Sequence, residues 1–266
     1  MQQFKGYKEE GPDERQEKAI PFSVIRQLHI SAVSELDKAI AELCTGATFF
    51  CMRSCEYSKV SNQEDRKTKL LCLKNIRFFR HHQLLDQTSA EEIKLADTVS
   101  ITFEDQKNRE RNQSVNLHRS KDETLCPVRA WSKVVSRILS YEGSTCDSPV
   151  NSFCLNGKQY RITDRNIANA LHSTIDTMQD FNLGFSGKDI GTHSIRSGGA
   201  MAMCLAKVDQ YMIMIIGRWK SDSFMKYIRK QIEQFTSGIS DRMLEVEHFN
   251  HIPKDVALQL QSTQRK

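Results

Sequence analysis

The stretch from Gly191 to Arg229, GTHSIRSGGAMAMCLAKVDQYMIMIIGRWKSDSFMKYIR, constrains this chain more than any other. Its pattern predicts three short helices in succession. Thr192 or Ser194 caps the first, and Gly198 and Gly199 fall in its opening turns. A glycine inside a helix costs about 1 kcal/mol against alanine. Two in a row therefore predict that another backbone, or a substrate, comes very close. Asp209 caps the second helix, whose run YMIMII (211–216) is apolar on all sides and predicts a buried element stopping at Gly217. Ser221 or Asp222 caps the third, which carries Phe224, Tyr227 and Ile228.

The rest of the chain supplies more helices and a few strands. Residues 1–20 are polar, punctuated by Gly11-Pro12, and read as a tail or linker. Helices are predicted after Pro21, after the cap Ser34, at Pro127 and after the cap Thr163. Partial alternation over Lys69–Phe79, and β-branched alternation over Thr98–Phe103, predict two strands. Ser114–His118 gives a third. The polar turn between the last two carries Lys107, Arg109 and Arg111. The fold class is therefore α+β: mainly helical, with a small three-stranded antiparallel sheet. One domain is expected over 21–235, followed by a C-terminal helix and polar tail over 236–266.

No run of 18 or more apolar residues occurs, which excludes a membrane-spanning helix. The N-terminus lacks the apolar core of a secretory signal, so an intracellular protein is expected, nuclear if eukaryotic. The eight cysteines contain no C-x-x-C pair and read as reduced core thiols. A zinc site from Cys55, Cys72 and a histidine matches no usual ligand spacing. Net charge is +5, and the basic residues cluster. Arg53–Arg80 holds eight Lys/Arg against three Asp/Glu, and Arg218–Lys230 five against one. Such patches suit a polyanion, although either could be a solvated face.

Several residues fall in a definite order. Arg53 and Glu56, three apart, follow the apolar run Ala47–Met52. Lys107 lies in a β-turn. His193-x-x-Arg196 opens a helix, and Gly217-Arg218-Trp219 precedes Tyr227, which lies ten residues after the glycine. Read singly, each has an ordinary explanation: Arg53 pairs with Glu56, Arg196 with Asp189, and Tyr227 packs. Jointly, they resemble the tyrosine recombinases, the phage-integrase-like family. The wording HSIRSGGA with GRW looks most like the recombinases of eukaryotic mobile elements of DIRS and Crypton type. The resemblance spans about residues 20–235. It departs from the family in having Arg218 directly after the turn glycine, where many members have His or Trp, with Trp219 next. The helical core-binding domain usual in the family is expected to be absent.

The resemblance implies a site and a chemistry. Arg53 and Arg196 clamp the non-bridging oxygens of a phosphodiester and stabilise its pentacovalent transition state. Arg218 or Trp219 adds a donor. His193 handles the proton of Tyr227, whose phenol is ordinarily protonated at neutral pH. Lys107 protonates the leaving 5′-oxygen. The product is a 3′-phosphotyrosine, so strands rejoin without ATP, metal or cofactor. Double-stranded DNA is the implied partner, with self-association as a tetramer on it and no membrane. The implied function is site-specific recombination or integration of a mobile element. The alternatives are a catalytically silent DNA-binding derivative and type IB topoisomerase-like relaxation.

Overall fold

The computed structural model describes residues 17–60, 68–105, 111–178, 183–221 and residue 225. The chain divides into two compact units, Met1–Ile228 and Arg229–Lys266, and the second lies wholly outside the described residues. The first unit is α+β. Its described helices are α1 (Phe22–Ile30), α2 (Glu35–Phe49), α3 (Ser54–Tyr57), α4 (Ala90–Lys94), α5 (Pro127–Leu139), α6 (Asp164–Asp176), α7 (His193–Leu205) and α8 (Gln210–Gly217). Its strands are β1 (Ile76–Arg80), β2 (Gln83–Leu84), β3 (Thr98–Asp105), β4 (Arg111–His118), β5 (Ser152–Leu155) and β6 (Lys158–Arg161).

Most helix starts follow local capping chemistry. Ser34 Oγ accepts from the Asp37 amide while Asp37 reaches back to the Ser34 amide, closing a capping box on α2. Thr163 does the same with Asn166 on α6, and Asp209 accepts from the Tyr211 amide on α8. Pro127 occupies the first turn of α5, where its missing N–H leaves no bond unmade. Thr192 precedes α7 without a side-chain cap bond, and Ser194 Oγ accepts from the Gly191 amide instead. The expected local cap is therefore absent, and its replacement comes from far away in sequence.

The main sheet is larger than the three strands expected. It runs β2-β1-β3-β4, all antiparallel, and β5-β6 forms a separate hairpin. The first strand starts at Ile76 rather than Lys69, because a 3₁₀ turn at Leu73–Asn75 and a single bridge from Cys72 to Pro149 use the preceding residues. Ile76, Phe78, Val99, Ile101, Phe103 and Val115 point to one face and are buried. They join the core formed by α1, α2, α5 and α6, with Trp131 of α5 fully enclosed. Cys44, Cys51, Cys55 and Cys126 are buried, and all eight thiols are free.

α7 seats on α2 and on the residues just before α1 through its two glycines. A Cβ on Gly198 would overlap the Ile20 carbonyl oxygen, and one on Gly199 would overlap that of Thr48 and stand 2.8 Å from Cys51 Sγ. The close backbone approach expected from the glycine pair is present, and it comes from the protein itself. The expectation of a buried second helix fails. Only Ile213 and Gly217 of α8 are buried, whereas Tyr211 is 68 % exposed and Met212 and Ile215 are half-exposed. Among the described residues, no element covers that side. The short run of isoleucine and methionine carried no polar position to reveal which side faced outward.

A buried arginine cluster as the candidate active site

The site forms where α2 and α8 end. Cys51 follows α2 in the left-handed conformation (φ 45°), and the Met52 amide bonds back to the Ala47 carbonyl, five residues earlier. Arg218 follows α8 in the same conformation (φ 56°), with the Trp219 amide bonded to the Met214 carbonyl. Both ends follow the reversal usually made by glycine. This arrangement leaves carbonyls at each helix C-terminus that need donors.

Arginines supply them. Arg196, one turn into α7, donates Nη1 to the Cys51 carbonyl and Nη2 to that of Gly217, the latter at 2.7 Å. Arg218 donates to the Phe50 and Ile216 carbonyls at 3.0 and 3.1 Å. Its Nη2 also reaches Glu56 Oε2 at 2.7 Å. Arg53 precedes α3 and places Nη1 3.0 Å from Glu56 Oε1, while its amide donates to Oε2 at 2.8 Å. Phe103 of β3 lies under the Arg218 guanidinium, 3.6 Å from carbon to ring centroid. Trp219 covers Arg196 at 4.2 Å.

Two guanidiniums, those of Arg53 and Arg218, thus bond a single carboxylate, and the charge of Arg196 also acts on it. The Arg218 side chain is fully buried, Arg196 is 1 % exposed, and Arg53 retains 18 % of its side-chain exposure. Burial alone would raise the Glu56 carboxyl. Arg218, Arg53 and Arg196 outweigh it and hold Glu56 below the usual carboxylate range. Burial pulls Arg196 down to about 9, and repulsion from Arg53 and Arg218 adds to the effect. Arg218 is lowered too, by burial first, with Glu56 opposing. Repulsion among the guanidiniums makes the cluster a receiver for an added anion.

The structure brings Arg53, Arg196, Arg218 and Trp219 together and places His193 at the start of the helix that carries Arg196. Lys107 and Tyr227 lie outside the described residues. Of the adjacent pair after Gly217, Arg218 is enclosed and committed to Glu56, whereas Trp219 is partly exposed. The pairing of Arg196 with Asp189 does not occur. Arg196 bonds main-chain carbonyls, and the Asp189 carboxylate accepts from Ser186. Tyr57 approaches the site, its hydroxyl 3.5 Å from the Thr192 carbonyl. Burial, with Cys44, Glu56 and Glu17 nearby, pushes that phenol well up and unsuits it as a nucleophile.

Sequence reasoning assigned Glu56 to Arg53 alone and missed its bond to Arg218, 162 residues away. It also missed Phe103 as a platform and Glu17, whose carboxylate accepts from the His193 and Ser194 amides at 2.8 and 3.2 Å. Only the apolar alternation of β3 hinted at Phe103, and nothing local signalled the other two.

No family model matches the chain, and no curated protein matches it. Among solved structures, it is similar to the XerH site-specific recombinase bound to its palindromic difH substrate in a post-cleavage complex. That match has a TM-score of 0.48 and 13 % identity, covering 85 % of this chain and 53 % of that one. It is also similar to the Tn1549 transposon integrase in complex with transposon right end DNA, at TM-score 0.46 and 9 % identity. There the match covers 83 % of this chain and 66 % of that one. The chain spans about half the length of the first of these proteins and just under two thirds of the second.

Proposed function

We propose that the chain cuts and rejoins DNA through a 3′-phosphotyrosine on Tyr227, in site-specific recombination or integration of a mobile element. The observation that carries this reading is the meeting of Arg53, Arg196, Arg218 and Trp219 at one place. They come from three separated stretches of sequence, and the motif order picked them out together. Three guanidiniums and one carboxylate leave an excess charge of two. A phosphodiester carries one negative charge, and its pentacovalent transition state carries two. The cluster therefore matches the transition state better than the ground state, which is what lowers a barrier.

In this reading, Arg53 meets the phosphate at the mouth, because it is the cluster arginine with exposed side-chain surface. Arg196 sits behind it, and Trp219 closes the side of Arg196 that the carbonyls do not. Arg218 acts through Glu56, fixing the carboxylate that orients Arg53. His193 handles the nucleophile's proton. Lys107 is the acid for the leaving 5′-oxygen. It follows Phe103 by four residues, so the strand leading to its turn is anchored on Arg218. A tetramer on two DNA duplexes would complete an exchange of strands.

A library of nicked duplexes with randomised flanks tests the proposal. The leaving fragment diffuses away after cleavage, so a covalent protein–DNA adduct accumulates and survives denaturation. The wild-type chain is expected to form it, Tyr227→Phe to abolish it, and Arg53→Ala to slow it by about a hundredfold, as for a lost oxyanion donor. DNA binding without adduct on any member would overturn the enzymatic reading and favour a silent DNA-binding protein. Plasmid relaxation with adduct but no recombinants would favour topoisomerase-like action.

A further inference from the structure

We propose that Glu17 is a positioning residue for the candidate site, holding the first turn of α7 and with it His193 and Arg196; this rests on the reading of the site just given. The opening amides of a helix have no partner inside it and need an acceptor from elsewhere. Thr192 supplies none through its side chain. Glu17 Oε2 takes the His193 amide at 2.8 Å, 176 residues away in sequence, and at 3.2 Å shares the Ser194 amide with the Gly191 carbonyl, which lies 3.1 Å from it. A carboxylate there also meets the positive end of the helix dipole.

Glu17 is part of a strap. The Lys18 amide bonds to the Asp189 carbonyl at 2.8 Å, Lys18 Nζ to that of Gly184 at 3.0 Å, and the Ile20 amide to that of Ser194 at 3.3 Å. Ala19 and Ile20 are buried, and the Ile20 carbonyl fills the space left by Gly198. The strap therefore grips the first two turns of α7. Gly191 completes the fit, because a Cβ there would stand 2.6 Å from the Glu17 carboxyl carbon. The group it would strike is the end of a flexible side chain, so Gly191→Ala expels the carboxylate without displacing backbone.

The test uses the full chain and three variants, Glu17→Ala, Glu17→Gln and Gly191→Ala. Hydrogen exchange reads the amides of His193 and Ser194, and adduct formation is timed on a nicked duplex selected with the wild type. Glu17→Ala and Gly191→Ala should each speed exchange at the His193 amide about tenfold, as expected when a cap is lost, and less at Ser194, whose amide also bonds the Gly191 carbonyl. Adduct formation from the preformed complex should slow by a similar factor, while the dissociation constant for the same duplex stays within about twofold. Glu17→Gln, which keeps an acceptor oxygen, should recover part of both. Unchanged exchange overturns the proposal, and so does faster exchange with wild-type cleavage. If the wild type forms no adduct, the reading of the site fails, and unchanged or faster exchange still decides whether Glu17 holds the helix.

Discussion

The Arg196 guanidinium lies 4.2 Å from the Trp219 ring centroid, while its Nη2 bonds the carbonyl of Gly217, two residues before that tryptophan. One arginine thus fixes both the end of α8 and the indole that follows it. Arg218, between them, turns the other way and closes on Glu56. Two adjacent residues that the sequence made rivals for one role stand against different partners.

Substitution should therefore separate them. Arg218→Gln breaks a fully buried ion pair and should cost about 3 kcal/mol or more of stability, read by denaturant unfolding. Trp219→Ala removes a partly exposed ring and should lower adduct formation at least tenfold with a much smaller loss of stability. Equal destabilisation by the two variants would refute this division.

Alkaline pH offers a second test. Arg196 is held at about 9, below its ordinary 12.5. Between those values the unfolded chain binds more protons than the folded one, so this group's contribution to stability rises with pH across that window. The cluster loses charge over the same range. Cleavage should peak and then fall above about pH 9 while the fold persists. Deprotonation of a tyrosine near its ordinary value of about 10 would on its own keep raising the rate.

Acid should act at a different place. His29 Nε2 lies 2.7 Å from Thr45 Oγ1. Burial, with Lys133 and Arg26 nearby, lowers its pKa from 6.5 to about 4. The unfolded chain takes up a proton that the folded chain refuses, so stability should fall as pH drops from 6.5 towards 4. His29→Gln should flatten the melting temperature over that interval. A slope identical to the wild type's would assign the loss to other groups.

The caps and strands that the sequence revealed share a property. Ser34, Thr163, Asp209 and Pro127 act within four residues of themselves, and β3 announces itself by alternation. The β5–β6 hairpin was equally local, since Asn156-Gly157 in left-handed conformations is its turn, and that signal went unread. The overlooked α4 also carried a signal, Ser89 accepting from the Glu92 amide. What no window could show was the bond between Arg218 and Glu56, or the cap on α7 by Glu17. Each joins residues more than 150 positions apart, where only the folded chain sets the distance. The motif order located the cluster, Glu56 included, but not the second bond that Glu56 makes, to Arg218.

Packing at the glycine pair gives a fourth prediction. A Cβ on Gly199 meets the Thr48 carbonyl, which belongs to α2 and cannot swing aside. Gly199→Ala should destabilise by about 2–3 kcal/mol, the usual range for overpacking, and should loosen Arg196 from the Cys51 carbonyl. Denaturant unfolding reads the first effect and adduct formation the second.

That seat has a wider consequence. Where two helices meet through side chains, a change of core residue alters their spacing, and other substitutions can retune it. Here α7 rests on the carbonyl oxygens of Ile20 and Thr48 with nothing interposed. The separation between Arg196 and the end of α2 is thus set by peptide geometry rather than by the size of an interposed side chain. The core can drift in composition while the gauge of the site stays constant.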